Sequence, residues 1–432
     1  MSRELNAEYL IESSIRMEGG QLRIMSRLVR GRDQVQVWSA SYDSEPNSVL
    51  AFQRELGIAI AGQIRLQLSP LRLMAVLARR QTQSTEAFDQ YLRGRYFWNQ
   101  LSPATTRRAL EYYSHATELD PGYGLAWSGL ADASAASPIN GDAPPLEAWA
   151  RARAAAARAV SCDPNLAEAQ TSLGIVGFFL DWDWVAAEKA FRKAAVLDPG
   201  YCLAHRTLGI LLSHSTRHDE AKIAVGRARL LEPLYAGHHA LSAQVAFNAR
   251  DYTAAVNFAR KAIVVDPGFW IGHLQLAQAL QQSGYSELAL DALQTAWRLS
   301  GGNTKVVSLR GYILATLGRT QEALEILGTL KGLANERYIP RYTIALVYAG
   351  LGQRDATLEW LESAFEAHDV HVIFLPVDPK WDDFGDDPRF LSISSRCDFD
   401  RTRSQQPDQT DVSTLVIAHS NPAAARRRAG DS

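Results

Sequence analysis

Residues 202–235 read CLAHRTLGILLSHSTRHDEAKIAVGRARLLEPLY, and residues 236–269 read AGHHALSAQVAFNARDYTAAVNFARKAIVVDPGF. Small residues recur through this region at intervals of 34, in amphipathic stretches. One column is Ala221, Ala255, Ala289 and Ala323, and a second is Gly209, Ala243, Ala277 and Gly311. Small side chains are needed where two antiparallel helices approach closely. The sequence therefore predicts a row of helical hairpins with a 34-residue period.

Proline marks the junctions between these hairpins. It follows an acidic residue at Asp120-Pro121, Asp163-Pro164, Asp198-Pro199, Glu232-Pro233 and Asp266-Pro267. Proline disfavours helix at the residue before it and so fixes where the next unit begins. The predicted units are 90–123, 124–166, 167–201, 202–235, 236–269, 270–303, 304–337 and 338–371.

The motifs inside the units are similar to those of a known family. They are Trp127-x-x-Leu130-Ala131, then Leu173-Gly174 with Ala187, Phe191, Ala194 and Pro199, then Leu208-Gly209 with Ala221, Ala228 and Pro233. Over about two thirds of its length the chain resembles the tetratricopeptide repeat family. The resemblance implies a mainly α fold, a right-handed superhelix of about eight helix pairs.

The segment before the repeats has a different pattern. Apolar residues alternate in 9–17, 22–29 and 35–42, which predicts a three-stranded meander with glycine-containing turns. Ser48 then begins a stretch with helical periodicity that extends to Leu68. The repeat array is thus expected to follow a partial α/β element.

This segment looks like the TolB-like region that precedes tetratricopeptide arrays in bacterial winged-helix transcriptional activators and adenylate cyclases. The similar stretches are Tyr9-Leu10-Ile11-Glu12, Val37-Trp38-Ser39, Tyr42-Asp43, Phe52-Gln53 and 91–98. The resemblance begins partway into that region, so we expect the chain to be truncated at its amino terminus.

These patterns divide the chain into five parts. We expect the TolB-like element in 1–68, a basic linker in 69–89, the repeat array in 90–371, a cap in 372–397 and a disordered tail in 398–432.

The composition excludes several classes of protein. The chain has 45 Lys and Arg against 47 Asp and Glu, so no overall positive charge favours nucleic acid. The three cysteines are widely spaced, which predicts neither a disulfide framework nor a zinc site. No signal sequence or membrane-spanning stretch is present, and a cytoplasmic location is expected.

No sequence motif predicts catalysis, a cofactor or a metal. Phosphate-binding loops, nucleophile elbows and H-E-x-x-H are absent, and so are the cyclase and DNA-binding parts of the families with similar segments. His205, His239 and His273 recur at 34-residue steps, but equivalent positions on adjacent repeats lie too far apart to share one metal ion. His214 and His218 have ligand spacing on a helix, yet they flank an expected turn. We therefore predict a protein that is not an enzyme.

The expected functional surface is the inner face of the superhelix. In the family it is lined by the second, fifth, ninth, twelfth and thirteenth positions of each unit. The resemblance assigns to it Arg206, His214, Gln244, Phe247, Asn248, Gln278, Gln281, Gln282, Lys305 and Tyr312. Amide side chains both donate and accept hydrogen bonds, which suits the backbone of an extended peptide. A solvated face without a partner is the alternative.

The predicted function is that of a non-catalytic scaffold in a bacterial signalling or transcription-control protein. It would bind a peptide or protein on the inner face, without nucleic acid, and could form an oligomer. In the alternative interpretation, the array is the sensory or oligomerisation arm of a longer DNA-binding activator or adenylate cyclase.

Overall fold

The computed structural model describes residues 9–18, 21–30, 35–44, 82–140 and 143–397. The helix expected after Ser48, most of the basic linker and the tail lie outside these ranges. The described chain is mainly α-helical, with a small sheet followed by an array of helix pairs.

The predicted meander is confirmed. Strands β1 (Tyr9–Glu18), β2 (Gln21–Arg30) and β3 (Gln36–Ser44) form one antiparallel sheet in the order β1-β2-β3. The register of β1 and β2 pairs Ser13 with Ser26, and the hydroxyl oxygens of these two residues lie 2.8 Å apart.

Between residues 82 and 397 the described chain contains eight helix pairs. They are α1 (Thr85–Trp98) with α2 (Pro103–Leu119), α3 (Gly124–Asn140) with α4 (Pro145–Cys162), α5 (Ala167–Val176) with α6 (Trp184–Leu197), α7 (Cys202–His214) with α8 (His218–Leu231), α9 (Ala236–Asn248) with α10 (Tyr252–Val265), α11 (Trp270–Gln282) with α12 (Ser286–Ser300), α13 (Thr304–Thr316) with α14 (Thr320–Leu333), and α15 (Arg341–Gly350) with α16 (Arg354–Glu366). The architecture is that of a tetratricopeptide repeat superhelix.

The helix starts follow the repeat period. Six pairs begin at the predicted unit starts, which are Gly124, Ala167, Cys202, Ala236, Trp270 and Thr304. The first pair begins at Thr85, before the predicted position 90, and the last at Arg341, after 338. Ser84 explains the early start, because its hydroxyl accepts the Ala87 N–H at 3.1 Å and so caps α1.

The small-residue columns lie where the helices of a pair touch. Ala221, Ala255, Ala289 and Ala323 are completely buried. A Cβ atom added at Gly209 would lie 2.5 Å from Val225, closer than side chains can pack. The small residues therefore recur every 34 positions because each helix pair makes the same close contact.

The superhelix turns tightly enough for distant units to meet. The Trp270 indole N–H donates to the Leu101 carbonyl at 3.1 Å, which joins the first unit to the sixth. The Asn303 side-chain amide donates to the Asn140 carbonyl at 2.8 Å, across 163 residues of sequence. The array therefore encloses its inner face.

The chain after α16 enters this enclosure before it ends the array. Two 3₁₀ turns, Val370–Phe374 and Pro379–Phe384, precede the final helix α17 (Pro388–Arg396). Helix α17 lies beside α16, where Arg389 pairs with Asp355 at 2.7 Å. Within the described ranges, no helix is long and apolar enough to cross a membrane.

Replacing Ala255 with leucine tests the close helix contact. We expect Ala255→Leu to lower the free energy of unfolding by about 1–3 kcal/mol, because the extra methyl groups would force α9 and α10 apart. Thr253→Leu, at an exposed site on the same helix, is the matched control and should change stability little. Urea denaturation of both variants measures the difference, and equal midpoints would contradict this account of the period.

Candidate binding site on the inner face

The inner face of the array has two parts that differ in accessibility. The ends of the inner helices α3, α7 and α9 are covered by residues 369–385, which we call the C-terminal segment. Near the starts of α3, α5, α7 and α9 the inner face forms a cavity of about 290 Å³, which we call the inner cavity.

The C-terminal segment covers several predicted inner-face residues. The Phe374 ring lies 5.1 Å from the His214 ring, and the Lys380 ammonium lies 4.9 Å from the centre of the Phe247 ring. Arg250 donates to the Val377 carbonyl and pairs with Asp382 at 2.6 Å. The segment is thus held by packing, by backbone hydrogen bonding and by charge.

The predicted amides bind one another. Gln244 donates to Asn248 at 2.7 Å, and Asn248 donates to the Ser213 hydroxyl at 3.0 Å. Gln275 and Gln278 each donate to the Gln244 carbonyl oxygen at 2.9 Å. All five side chains are buried, so this network links three consecutive inner helices and is not free to bind a peptide.

The other predicted inner-face residues are dispersed. Arg206 lines the inner cavity. Lys305 lies 3.3 Å from the Asn140 side-chain oxygen, at the contact between the second and seventh units. Gln281, Gln282 and Tyr312 are half-buried. The structure therefore brings Arg206 alone among the predicted residues to the inner cavity.

Phenols and charged groups from four units line the inner cavity. Tyr91, Tyr113 and Tyr201 contribute rings, Arg95 and Arg206 contribute guanidinium groups, and Asp132 and Glu168 contribute carboxyl groups. Burial raises the pKa of each of these three tyrosines above its ordinary value. The phenols therefore remain protonated at neutral pH and can donate hydrogen bonds.

Asp132 is a carboxyl group of the cavity with a strongly raised pKa. Its burial raises the pKa to about 7, although the Ser172 hydrogen bond and the charge of Arg206 act in the opposite direction. The Ser172 hydroxyl donates to Asp132 Oδ1 at 2.7 Å. A carboxyl group that titrates near neutral pH makes the charge of the cavity depend on pH.

The recurring histidines have a structural role. Nε2 of His205, His239 and His273 lies 3.0, 2.9 and 3.1 Å from the carbonyl of the proline six residues earlier. A carbonyl oxygen only accepts, so Nε2 carries the proton. Gln170 and Trp127 make the same contact in earlier units, both at 2.9 Å. The histidines thus secure the turns between units and do not share a metal ion.

Two further polar residues also have structural roles. The His214 ring is buried and donates from Nδ1 to the Ile210 carbonyl at 2.8 Å, and burial lowers its pKa to about 4. Asp183 accepts the Ala186 N–H at 3.0 Å and caps α6. Neither observation indicates catalysis.

Sequence analysis missed two groups of residues at the inner cavity. Asp132 occupies the ninth position of its unit, so extending the same inner-face positions back to the second unit would have found it. Cys202, Glu232 and His238 form the second group. They depart from the residue types repeated at their positions, and aligning the units with one another would have shown this.

Replacing Asp132 with asparagine tests the buried carboxyl group. Its pKa is about 7 when folded against 3.8 for the ordinary group, so the wild type loses stability as pH rises through this window. The asparagine side chain cannot ionise and still accepts from Ser172. We expect Asp132→Asn to stabilise the protein by up to about 4 kcal/mol at pH 8, and by much less near pH 4.

Urea denaturation at both pH values measures this effect. Asp219→Asn, at an exposed carboxyl group, is the control and should change stability little at either pH. A gain for Asp132→Asn that does not grow with pH would contradict the assignment.

Comparison with known proteins gives partial similarities. No protein-family model matches the chain. It is 26% identical over 133 residues to a putative adenylate cyclase 3 of Rhizobium meliloti (strain 1021), covering 30% of this chain and 22% of that protein. The chain therefore matches less than a quarter of this curated relative.

Several solved structures are similar to this chain over part of its length. MamA is 22% identical, with 36% of this chain and 91% of that chain covered and a TM-score of 0.31. TTC0263, a tetratricopeptide repeat protein of Thermus thermophilus, is 16% identical, with coverage of 45% and 99% and a TM-score of 0.38. Cut9–Hcn1 of the APC/C is 14% identical, with coverage of 68% and 52% and a TM-score of 0.47.

Proposed function

We propose that this chain is a protein-interaction scaffold without catalytic activity of its own. It binds a peptide or protein segment on the inner face of the repeat superhelix, within a bacterial signalling or transcription-control protein. The inner cavity is the part of that face at which a partner would enter.

One observation supports this proposal above all others. The inner face already holds a polypeptide, the C-terminal segment, and holds it partly by its backbone. Arg250 of the array donates to the Val377 carbonyl of the segment, and the His371 side chain of the segment lies 3.3 Å from the Ile139 carbonyl of α3. Recognition of a main chain in this way is what a peptide-binding groove requires.

The chemistry of the inner cavity suits a polar segment of a partner. The guanidinium groups of Arg206 and Arg95 can donate charge-assisted hydrogen bonds to a carboxylate or a carbonyl of a partner, and the protonated phenols can also donate hydrogen bonds. Asp132 and Glu168 can accept hydrogen bonds from a partner's backbone N–H groups. Because the cavity occupies only about 290 Å³, it would take one or two side chains rather than a folded domain.

Reversing the charge of Arg206 tests where the partner binds. Arg206→Glu should reduce the amount of a partner retained from the protein's own cells at least about tenfold, because a desolvated charged contact is worth about 2–5 kcal/mol. The measurement is quantitative mass spectrometry after affinity purification. Arg260→Glu, at an exposed site on α10, makes the same charge change away from the cavity and should retain the partner.

The two variants must first have unfolding midpoints close to that of the wild type. Equal retention by wild type, Arg206→Glu and Arg260→Glu would contradict binding in the inner cavity. Equal loss in both variants would indicate a general effect of charge.

A second function rests on the similarity to the putative adenylate cyclase of Rhizobium meliloti. Here the array is the sensory or oligomerisation arm of a longer signalling protein, and its partner is the effector domain of the same protein. The inner face would then transmit partner binding to that domain.

The mass of the protein in its own cells distinguishes the two functions. For the arm, we expect immunoblotting and intact mass measurement to give a mass above 47.7 kDa by at least about 10 kDa, roughly one small domain. A mass of 47.7 kDa would contradict the arm and favour an independent scaffold.

A further inference from the structure

Three side chains of metal-binding type converge at one edge of the inner cavity. Cys202 is the first residue of α7, Glu232 follows the end of α8, and His238 lies in the first turn of α9. One potential ligand atom from each lies within 4.8 Å of the other two. Among the described residues, it is the one group of three Cys, His, Asp or Glu side chains whose ligand atoms lie this close together.

The spacing of these atoms is close to that of a tetrahedral zinc site. His238 Nε2 lies 3.1 Å from Glu232 Oε2. Zinc bonds of about 2.0–2.1 Å at tetrahedral angles place two such ligands about 3.3 Å apart, and a thiolate about 3.5 Å from either. The imidazole and the carboxylate are thus already placed, and the thiol, which lies within 4.8 Å of both ligand atoms, has to approach them by no more than about 1.3 Å. The 3.7 Å interaction of the thiol with the Gly200 carbonyl is weak enough to be exchanged.

The repeat architecture does not require His238 and Glu232. His238 stands where other units have Ala126, Ala169, Ala204 and Gly272. Glu232 stands where other units have Asp120, Asp163, Asp198 and Asp266. Each of these aspartates accepts the N–H two residues ahead, at 2.9, 2.9, 2.9 and 2.8 Å, and so stabilises its turn.

Glu232 gives up this structural role. Its carboxylate turns to His238 instead of to the backbone N–H of Leu234. The junction therefore loses a turn-stabilising hydrogen bond that four other junctions have, and gains a contact between two side chains that both bind metals. Such a local departure from an otherwise regular pattern indicates a function for the residues involved.

The surroundings provide both shielding and access. The exposed fraction is 7% for Cys202 and 2% for His238, and His238 Nδ1 is buried without a hydrogen-bond partner. All three residues line the inner cavity, so a water molecule or a ligand group has room to take a fourth position. Three protein ligands with one open position are the arrangement of an accessible zinc site.

We propose that Cys202, Glu232 and His238 bind one zinc ion, with the fourth position open to the inner cavity. The Cys202 thiol binds as a thiolate and releases its proton to solvent, the imidazole binds in its neutral form, and Glu232 binds through one oxygen. The metal ion would link the start of α9, through His238, to the start of α7, through Cys202. It does not depend on the proposed peptide binding, and it replaces the expectation that the cysteines have no part in metal binding.

Metal titration of the full-length, untagged protein under reducing conditions tests this site. After removal of metal by a chelator, we expect one Zn²⁺ per chain in competition with a chromophoric chelator. Co²⁺ should give the intense visible bands of tetrahedral coordination and a thiolate-to-cobalt charge-transfer band in the near ultraviolet. Cys202→Ser should abolish the charge-transfer band, and Glu232→Asp and His238→Gln should weaken Zn²⁺ binding at least about tenfold.

Two features keep the test decisive. Glu232→Asp restores the aspartate of the other junctions, so it should fold normally while its shorter side chain no longer reaches the metal. Cys162→Ser and His273→Gln are matched controls outside the cluster and should bind metal as the wild type does. A wild type without stoichiometric Zn²⁺ binding, or a charge-transfer band that persists in Cys202→Ser, would overturn the proposal.

Discussion

The close contact between the two helices of each unit is the constraint on which the rest of the structure depends. Ala221, Ala255, Ala289 and Ala323 are completely buried at these contacts, and Gly209 has no room for a Cβ. Because every unit repeats the same contact, the angle between successive units recurs and the array curves steadily. The enclosed inner face is therefore a consequence of small residues spaced 34 apart.

This curvature brings together parts of the chain that are distant in sequence. The first unit reaches the sixth through Leu101 and Trp270, and the second reaches the seventh through Asn140 and Lys305. The space left inside accommodates the C-terminal segment, whose Lys380 forms a buried ion pair with Asp378 at 2.7 Å. Because this segment covers the inner face, groups such as Lys380 and Phe247 are buried there and are largely out of contact with solvent.

The sequence was sufficient to predict the features that recur with the 34-residue period, which are the helix pairs and where they begin. Six helix pairs begin at the predicted unit starts, and the meander of three strands is confirmed. The period contains no information on contacts across many units, so the pairing of Arg250 with Asp382, 132 residues apart, was not predictable. For the same reason Gln244, Asn248 and Gln278 were interpreted as free amides, although they bind one another. Cys202, Glu232 and His238 were missed because each breaks the pattern at a different position of the unit.

The division of the inner face decides how a partner can bind. To reach Phe247 or Asn248, a partner has to displace the C-terminal segment, and with it the Arg250 contacts, the packing of Phe374 and the buried Lys380. Each of these contacts is modest alone, but they are made by one continuous segment and are lost together. Among the described residues, the inner cavity has no such competitor, and its charged groups, its phenols and the group formed by Cys202, Glu232 and His238 lie within one space. In the binding mode proposed above, a partner that enters there reaches these polar groups without first displacing the C-terminal segment, which is why we propose the starts of α3, α5, α7 and α9 as the recognition surface.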